Sequence, residues 1–189
     1  QRRGAVPAVY PMKTLLVGMG NPILCDDAVG VRLATDFSQR LGKARIDIDV
    51  VEECSVGGLN LIDVLRGYER VLLLDSIQTQ GGKPGAWYTF DGTYLQDTLH
   101  LTNIHDANFA TAIELGRRLG VPLPAPHDIH IFAIEVADNI TFGTCMTPAL
   151  EGAYPAYSEA IYAEITAMLR RQQKLQTRER LDTRERCRV

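Results

Sequence analysis

Cysteine is scarce in this chain of 189 residues: Cys25, Cys54, Cys145 and Cys187 stand far apart, and none belongs to a CxxC pair. That pattern speaks against a disulfide-stapled scaffold and a thiolate zinc site, and it suits a reducing, cytoplasmic setting. A basic excess is also missing. With 20 Lys and Arg against 23 Asp and Glu, the formal net charge is −3, whereas a general nucleic-acid binder carries a strong positive surplus. No apolar run approaches the roughly 18–20 residues needed to span a bilayer, so membrane insertion is not expected. A GxSxG elbow and an HExxH helix are absent as well, which removes the commonest serine-hydrolase and zinc-peptidase signatures.

What is present is an alternation of strand and helix signals. Thr14-Leu-Leu-Val-Gly-Met and Arg70-Val-Leu-Leu-Leu-Asp read as buried strands. Ile46–Val51, Ala86–Phe90 and Asp128–Val136 read as further strands. Helical spacing predicts helices over Ala28–Leu41 with Gly42 as C-cap, Gly58–Leu65, Asp106–Leu119 and Thr147–Leu169. The order predicts an α/β fold, with helices on both faces of a mostly parallel sheet. Met12 opens a segment that reads as a protein start. The expected organisation is a single domain over 12–172, an N-terminal extension over 1–11 and a polar C-terminal tail over 173–189, read as a frayed, flexible helix end.

In such a sheet, ligands gather at the carboxyl ends of the strands. The first such loop, Gly18-Met-Gly-Asn-Pro-Ile-Leu-Cys-Asp-Asp-Ala-Val-Gly, imitates a dinucleotide fingerprint but has Ile23 where the third glycine belongs, and it lacks the lysine of a P-loop. Two acids at a helix start would repel a phosphate. For Asp26 the simplest role is helix capping. Asp27, Asp75 at the end of its strand and His105 before a helix lie on three loops that the fold would gather at one edge. Carboxylates and a neutral imidazole can hold zinc, nickel or a similar divalent ion and leave positions open for a substrate. Asn21 is either a turn residue or a group that orients substrate. Cys25 makes a poor nucleophile beside two acids. His127 and His130, three apart on a strand, would point to opposite faces. His100 has no supporting neighbours. Trp87 and Tyr88 are expected to pack within a strand.

The set Gly18-x-Gly-Asn-x-x-x-x-Asp-Asp-x-x-Gly, then LLLD, then a histidine before a helix, resembles the hydrogenase maturation proteases. The resemblance implies a three-layer α/β/α sandwich around a twisted, mostly parallel sheet. It implies an endopeptidase that removes a C-terminal extension from the large-subunit precursor of a nickel–iron hydrogenase once nickel is in place. Carried over by position, Asp27, Asp75 and His105 are the catalytic and metal-contacting residues, and Asn21, Gly57 and Gly58 contact substrate. The nickel would come with the precursor, and zinc or cadmium could substitute for it. Ala28 stands where the family often has glycine, and Cys54 and Ser55 precede the Gly57-Gly58 pair. Two other readings stay open here: a non-proteolytic nickel-binding assembly module on the same fold, and a nucleotide-binding α/β protein.

Overall fold

The computed structural model describes residues 12–55, 59–94 and 104–186. Strand β1 (Thr14–Met19) leads into helix α1 (Val29–Lys43), β2 (Asp49–Cys54), the short α2 (Leu59–Leu65) and β3 (Arg70–Ile77). Then come β4 (Trp87–Asp91), α3 (Ile104–Arg118), a 3-10 turn (Pro126–Asp128), β5 (Ile129–Glu135) and the long α4 (Pro148–Arg186). The sheet order is β2-β1-β3-β5-β4. The first four of these strands are parallel; β4 runs antiparallel on β5, with Thr89 opposite Phe132.

Period-two alternation divides the sheet between two cores. Leu16, Leu72, Leu74, Phe132 and Ile134 face Leu33 and Phe37 of α1 and Leu150, Ile161 and Ile165 of α4. Leu15, Val17, Leu73 and Ile131 face Leu61 and Leu65 of α2 and Phe109 and Ile113 of α3. The central strands are covered on both sides, which explains why they read as unbroken apolar runs. The outcome is the expected α/β/α sandwich. Packing, rather than capping, holds α1 in place. Its N-cap is Ala28, with no side-chain cap bond, a loss of about 1 kcal/mol against a good cap. Burying each of Leu33, Phe37 and Leu41 contributes about 1.5–3 kcal/mol.

Several boundaries differ from the sequence reading. Helix α1 passes through Gly42 to Lys43, and the positive φ (53°) falls on Arg45 instead. Pairing of β2 begins at Asp49, opposite Leu15, because Ile46 and Ile48 are used to edge the α1–α4 core before the ladder starts. Strand β3 continues past Asp75, since Ser76 and Ile77 still pair with Ile134 and Glu135. The closing helix runs to Arg186, past Leu169. Residues 173–186 hold no glycine or proline and are rich in Arg, Gln, Lys and Glu, residues of high helix propensity.

Candidate active site

The strand order reverses at β1: β2 lies on one side of it and β3 on the other. The crevice at the carboxyl ends of β1 and β3 is therefore the switch point where an open α/β sheet receives a ligand. Glycines shape the loop that enters it. A Cβ on Gly30 would sit 2.3 Å from the Met19 carbonyl oxygen and 2.4 Å from that of Leu74, so only glycine lets α1 start hard against both strands. Gly20 has φ +135°, and a Cβ there would lie 2.0 Å from the Asp27 carbonyl oxygen. The turn after β1 thus folds back on Asp27.

The Asp27 carboxylate is buried, at 3% exposure. It accepts the Asn21 N–H on Oδ2 (2.8 Å) and the Ser76 hydroxyl on Oδ1 (2.7 Å). Asp75 is equally buried, and its Oδ1 accepts the Ser76 N–H at 2.8 Å. Alternation along β3 turns Asp75 toward the α2–α3 layer and Ser76 toward the α1–α4 layer. One serine consequently links the two acids, its hydroxyl to Asp27 and its amide to Asp75. Ser76 was missed in the sequence; the only signal was its place directly after the LLLD run. The Asn21 side chain accepts the Ile23 N–H at 3.2 Å, a turn-forming role.

His105 falls in the first turn of α3 rather than ahead of the helix. After α3 the chain returns to the amino edge of the sheet, where the Pro122 carbonyl accepts the Gly67 N–H (2.9 Å) just before β3. A helix of this length spans about 20 Å, so its first turn lies toward the carboxyl edge, on the face to which β3 turns Asp75. The His105 side chain, like Gly57, Gly58 and His100, lies outside the described residues. Among the described residues no three His, Cys, Asp or Glu side chains form a metal-sized cluster.

Asp26 does something other than cap α1. Fully buried, its carboxylate accepts the N–H groups of Ala137 (3.0 Å), Asp138 (3.1 Å) and Thr147 (2.6 Å) and the Thr147 hydroxyl (2.9 Å). It fastens the first loop to the segment before α4. Leu24 also bridges Phe142 there, and the Asp138 carboxylate closes a turn on Ile140 and Thr141. The Cys25 thiol is pushed above its ordinary pKa by burial and then by Asp26 and Asp138, as expected for a poor nucleophile. Ile23, Ile140 and Phe142 leave apolar side chains exposed on this pair of loops. His127 and His130 lie at the other end of the sheet, in the 3-10 turn and at the start of β5.

A family model described as HycI, hydrogenase maturation protease, matches residues 31–164. The chain belongs to the hydrogenase maturation protease family. The match runs from α1 into α4 and takes in Asp75 and His105, while the Asp26–Asp27 loop lies just ahead of it. Solved structures share this maturation-protease fold. The hydrogenase maturating endopeptidase HybD from E. coli superposes with a TM-score of 0.64 at 18% identity, covering 83% of this chain and 94% of that one. The [NiFe] hydrogenase maturation protease HybD from Thermococcus kodakarensis gives 0.56 at 23% identity, over 79% and 97%. The HycI protease of Thermococcus kodakarensis KOD1 gives 0.57 at 18%, over 84% and 93%. No curated protein matches the sequence. As a maturation protease the chain is an endopeptidase, and no helix among the described residues is long and apolar enough to cross a membrane.

Proposed function

We propose that this maturation protease acts in the cytoplasm on the large-subunit precursor of a nickel–iron hydrogenase. It removes a C-terminal extension after nickel insertion, with the precursor's own nickel as the recognition element. The observation that carries the reading is the pair of buried carboxylates, Asp27 and Asp75, joined through Ser76 at the switch-point crevice. Buried acids of this kind are held for a purpose that repays their desolvation. Hard carboxylate oxygens, with the imidazole of His105 on α3, suit nickel, and zinc or cadmium would satisfy the same donors. The exposed Ile23, Ile140 and Phe142 offer the precursor chain an apolar rim beside the site. Asn21, Gly57 and Gly58 would hold its backbone.

A bound divalent ion polarises a carbonyl and eases deprotonation of water. The side chains supply the rest. A carboxylate of Asp27 or Asp75 takes the proton of the attacking water, and that proton then passes to the departing amine as the peptide C–N bond breaks. Ser76 fixes the orientation of Asp27 through the 2.7 Å bond, which limits the rotamers from which that acid can act.

The test is mass spectrometry of nickel-loaded and nickel-free precursor after incubation with the protease. Cleavage of the loaded form alone is expected. Asp27→Asn can accept the Asn21 N–H on its one oxygen and donate its amide N–H to the Ser76 oxygen, so it should fold, and it should lower the cleavage rate by about 10²–10⁴. Asp75→Asn and His105→Ala should do the same. Normal trimming by all three variants would refute the assignment, and equal trimming of the nickel-free precursor would refute the role of the metal.

A further inference from the structure

We propose that Cys25 and Cys145 form a reversible intrachain disulfide, a covalent clasp between the loop that carries Asp27 and the segment that precedes α4. The two segments already run side by side. Cys25 N–H donates to the Thr141 carbonyl and Gly143 N–H to the Ile23 carbonyl, each at 3.0 Å. The chain then curls so that the Cys145 carbonyl accepts the Cys25 thiol at 2.8 Å. A carbonyl oxygen lies about 2.4 Å from its own Cα, which puts the Cys145 Cα within about 5 Å of the Cys25 sulfur. A cysteine sulfur lies about 2.8 Å from its own Cα, so the two Cα atoms stand within about 8 Å of one another, and closing the bridge brings them into the roughly 4.4–6.8 Å range that disulfides keep.

A residue without a side chain lies beside both cysteines. The residue facing Cys25 is Gly143, where even a Cβ would lie 3.6 Å from the Cys25 sulfur. Cys145 is exposed, with its sulfur 4.0 Å from the Thr144 hydroxyl; an exposed side chain exchanges χ1 rotamers readily, and the bridge calls for the one that turns its sulfur toward Cys25. The backbone on both sides is pinned, because Asp26 next to Cys25 binds Thr147, two residues beyond Cys145. Cys54, by contrast, is buried on the α2–α3 face.

The oxidant is a low-molecular-weight disulfide, RSSR. The sulfur of Cys145 attacks it, forming the mixed disulfide and releasing RSH with the Cys145 proton. The sulfur of Cys25, poor as a nucleophile toward outside reagents, then attacks the neighbouring Cys145 sulfur within the same chain, where proximity offsets its raised pKa, and expels the second RSH with its own proton. Two protein thiols are oxidised and one RSSR is reduced to two RSH. This inference does not rest on the peptidase reading, and its readout is covalent.

The full chain would be equilibrated with glutathione and glutathione disulfide over a range of ratios, blocked with N-ethylmaleimide, digested without reduction and mapped by mass spectrometry. The expected product is a linked peptide pair joining Cys25 to Cys145, in a chain that has lost two hydrogens. Dithiothreitol should reverse it, and Cys145→Ser should abolish it. Separate glutathione adducts on Cys25 and Cys145, a bridge from Cys145 to Cys187, or unmodified thiols across the whole range would each overturn the proposal.

Discussion

Two adjacent aspartates have opposite duties in this protein. Asp26 is fully buried and its carboxylate takes four donors from Ala137, Asp138 and Thr147; the partners of Asp27 include one from its own turn and one from β3. Removing Asp26 takes the acceptor from four part-buried donors at once, and each unsatisfied group costs up to about 1–3 kcal/mol. Asp26→Ala should therefore destabilise the fold by about 3 kcal/mol or more, read as a lower urea midpoint. Asp27→Asn should move that midpoint little while removing activity. A variant Asp26→Ala of normal stability would show that the fastening is dispensable. The acid pair itself is plain in the sequence. Its division of labour is not, because the donors to Asp26 come from 111–121 residues further along the chain. Local spacing offered only helix capping for Asp26, and nothing local marks Ser76 as the group that meets Asp27.

At the scale of elements, the placement of α1 decides where Asp27 stands. The helix begins against two strands at once, and Gly30 is the contact point. A methyl group there would meet the backbone oxygens of Met19 and Leu74 at 2.3 and 2.4 Å, neither of which can swing aside as a side chain would. Gly30→Ala should push α1 outward and cost about 2–4 kcal/mol, with cleavage impaired because the Asp27 loop moves with the helix. A methyl group on Gly42, in the last turn of the same helix, would meet nothing within 4 Å. Gly42→Ala should stabilise by about 0.5–1 kcal/mol, since it only removes backbone entropy from the unfolded chain. Urea unfolding of the two variants checks both signs. Opposite shifts are expected, and a neutral Gly30→Ala would show that the tight approach does not set the position of α1. The element order and the burial of β1 and β3 were readable from apolar runs and helical spacing. The ends were not, because tertiary pairing sets them: β3 outruns its acid since β5 continues beside it, and β2 starts where β1 offers a partner.

Taken as a whole, the molecule separates its two charged ends. The carboxyl edge of the sheet carries Asp27, Asp75 and the start of α3. The amino edge carries Arg70, hydrogen-bonded to Gln172 and 3.6 Å from Asp128, with His130 across the sheet from Leu72 and Asp91. Burial, and then Arg70, pull His130 below its ordinary pKa of 6.5, against the opposing pull of Asp128 and Asp91. The folded chain thus gives up this proton more readily than the unfolded chain does. Between the folded value and 6.5 the unfolded state binds more protons, so stability must fall as pH drops through that interval and level off below it. The shifted carboxylates of Asp91 and Asp138 act elsewhere on the scale. Their hydrogen bonds to Thr93 and Thr141 hold them below the ordinary 3.8, so what they contribute is present above that value and disappears only in stronger acid. Mild acid should therefore weaken the fold through His130 at the amino edge. Urea midpoints measured from pH 7.5 down to pH 5 should decline in the wild type and decline less steeply in His130→Gln. The precursor-cleavage rate of that variant at pH 7.5 should stay unchanged. Parallel stability profiles for the two proteins would show that His130 does not carry the acid sensitivity, and a loss of cleavage in His130→Gln would show that the two edges are coupled.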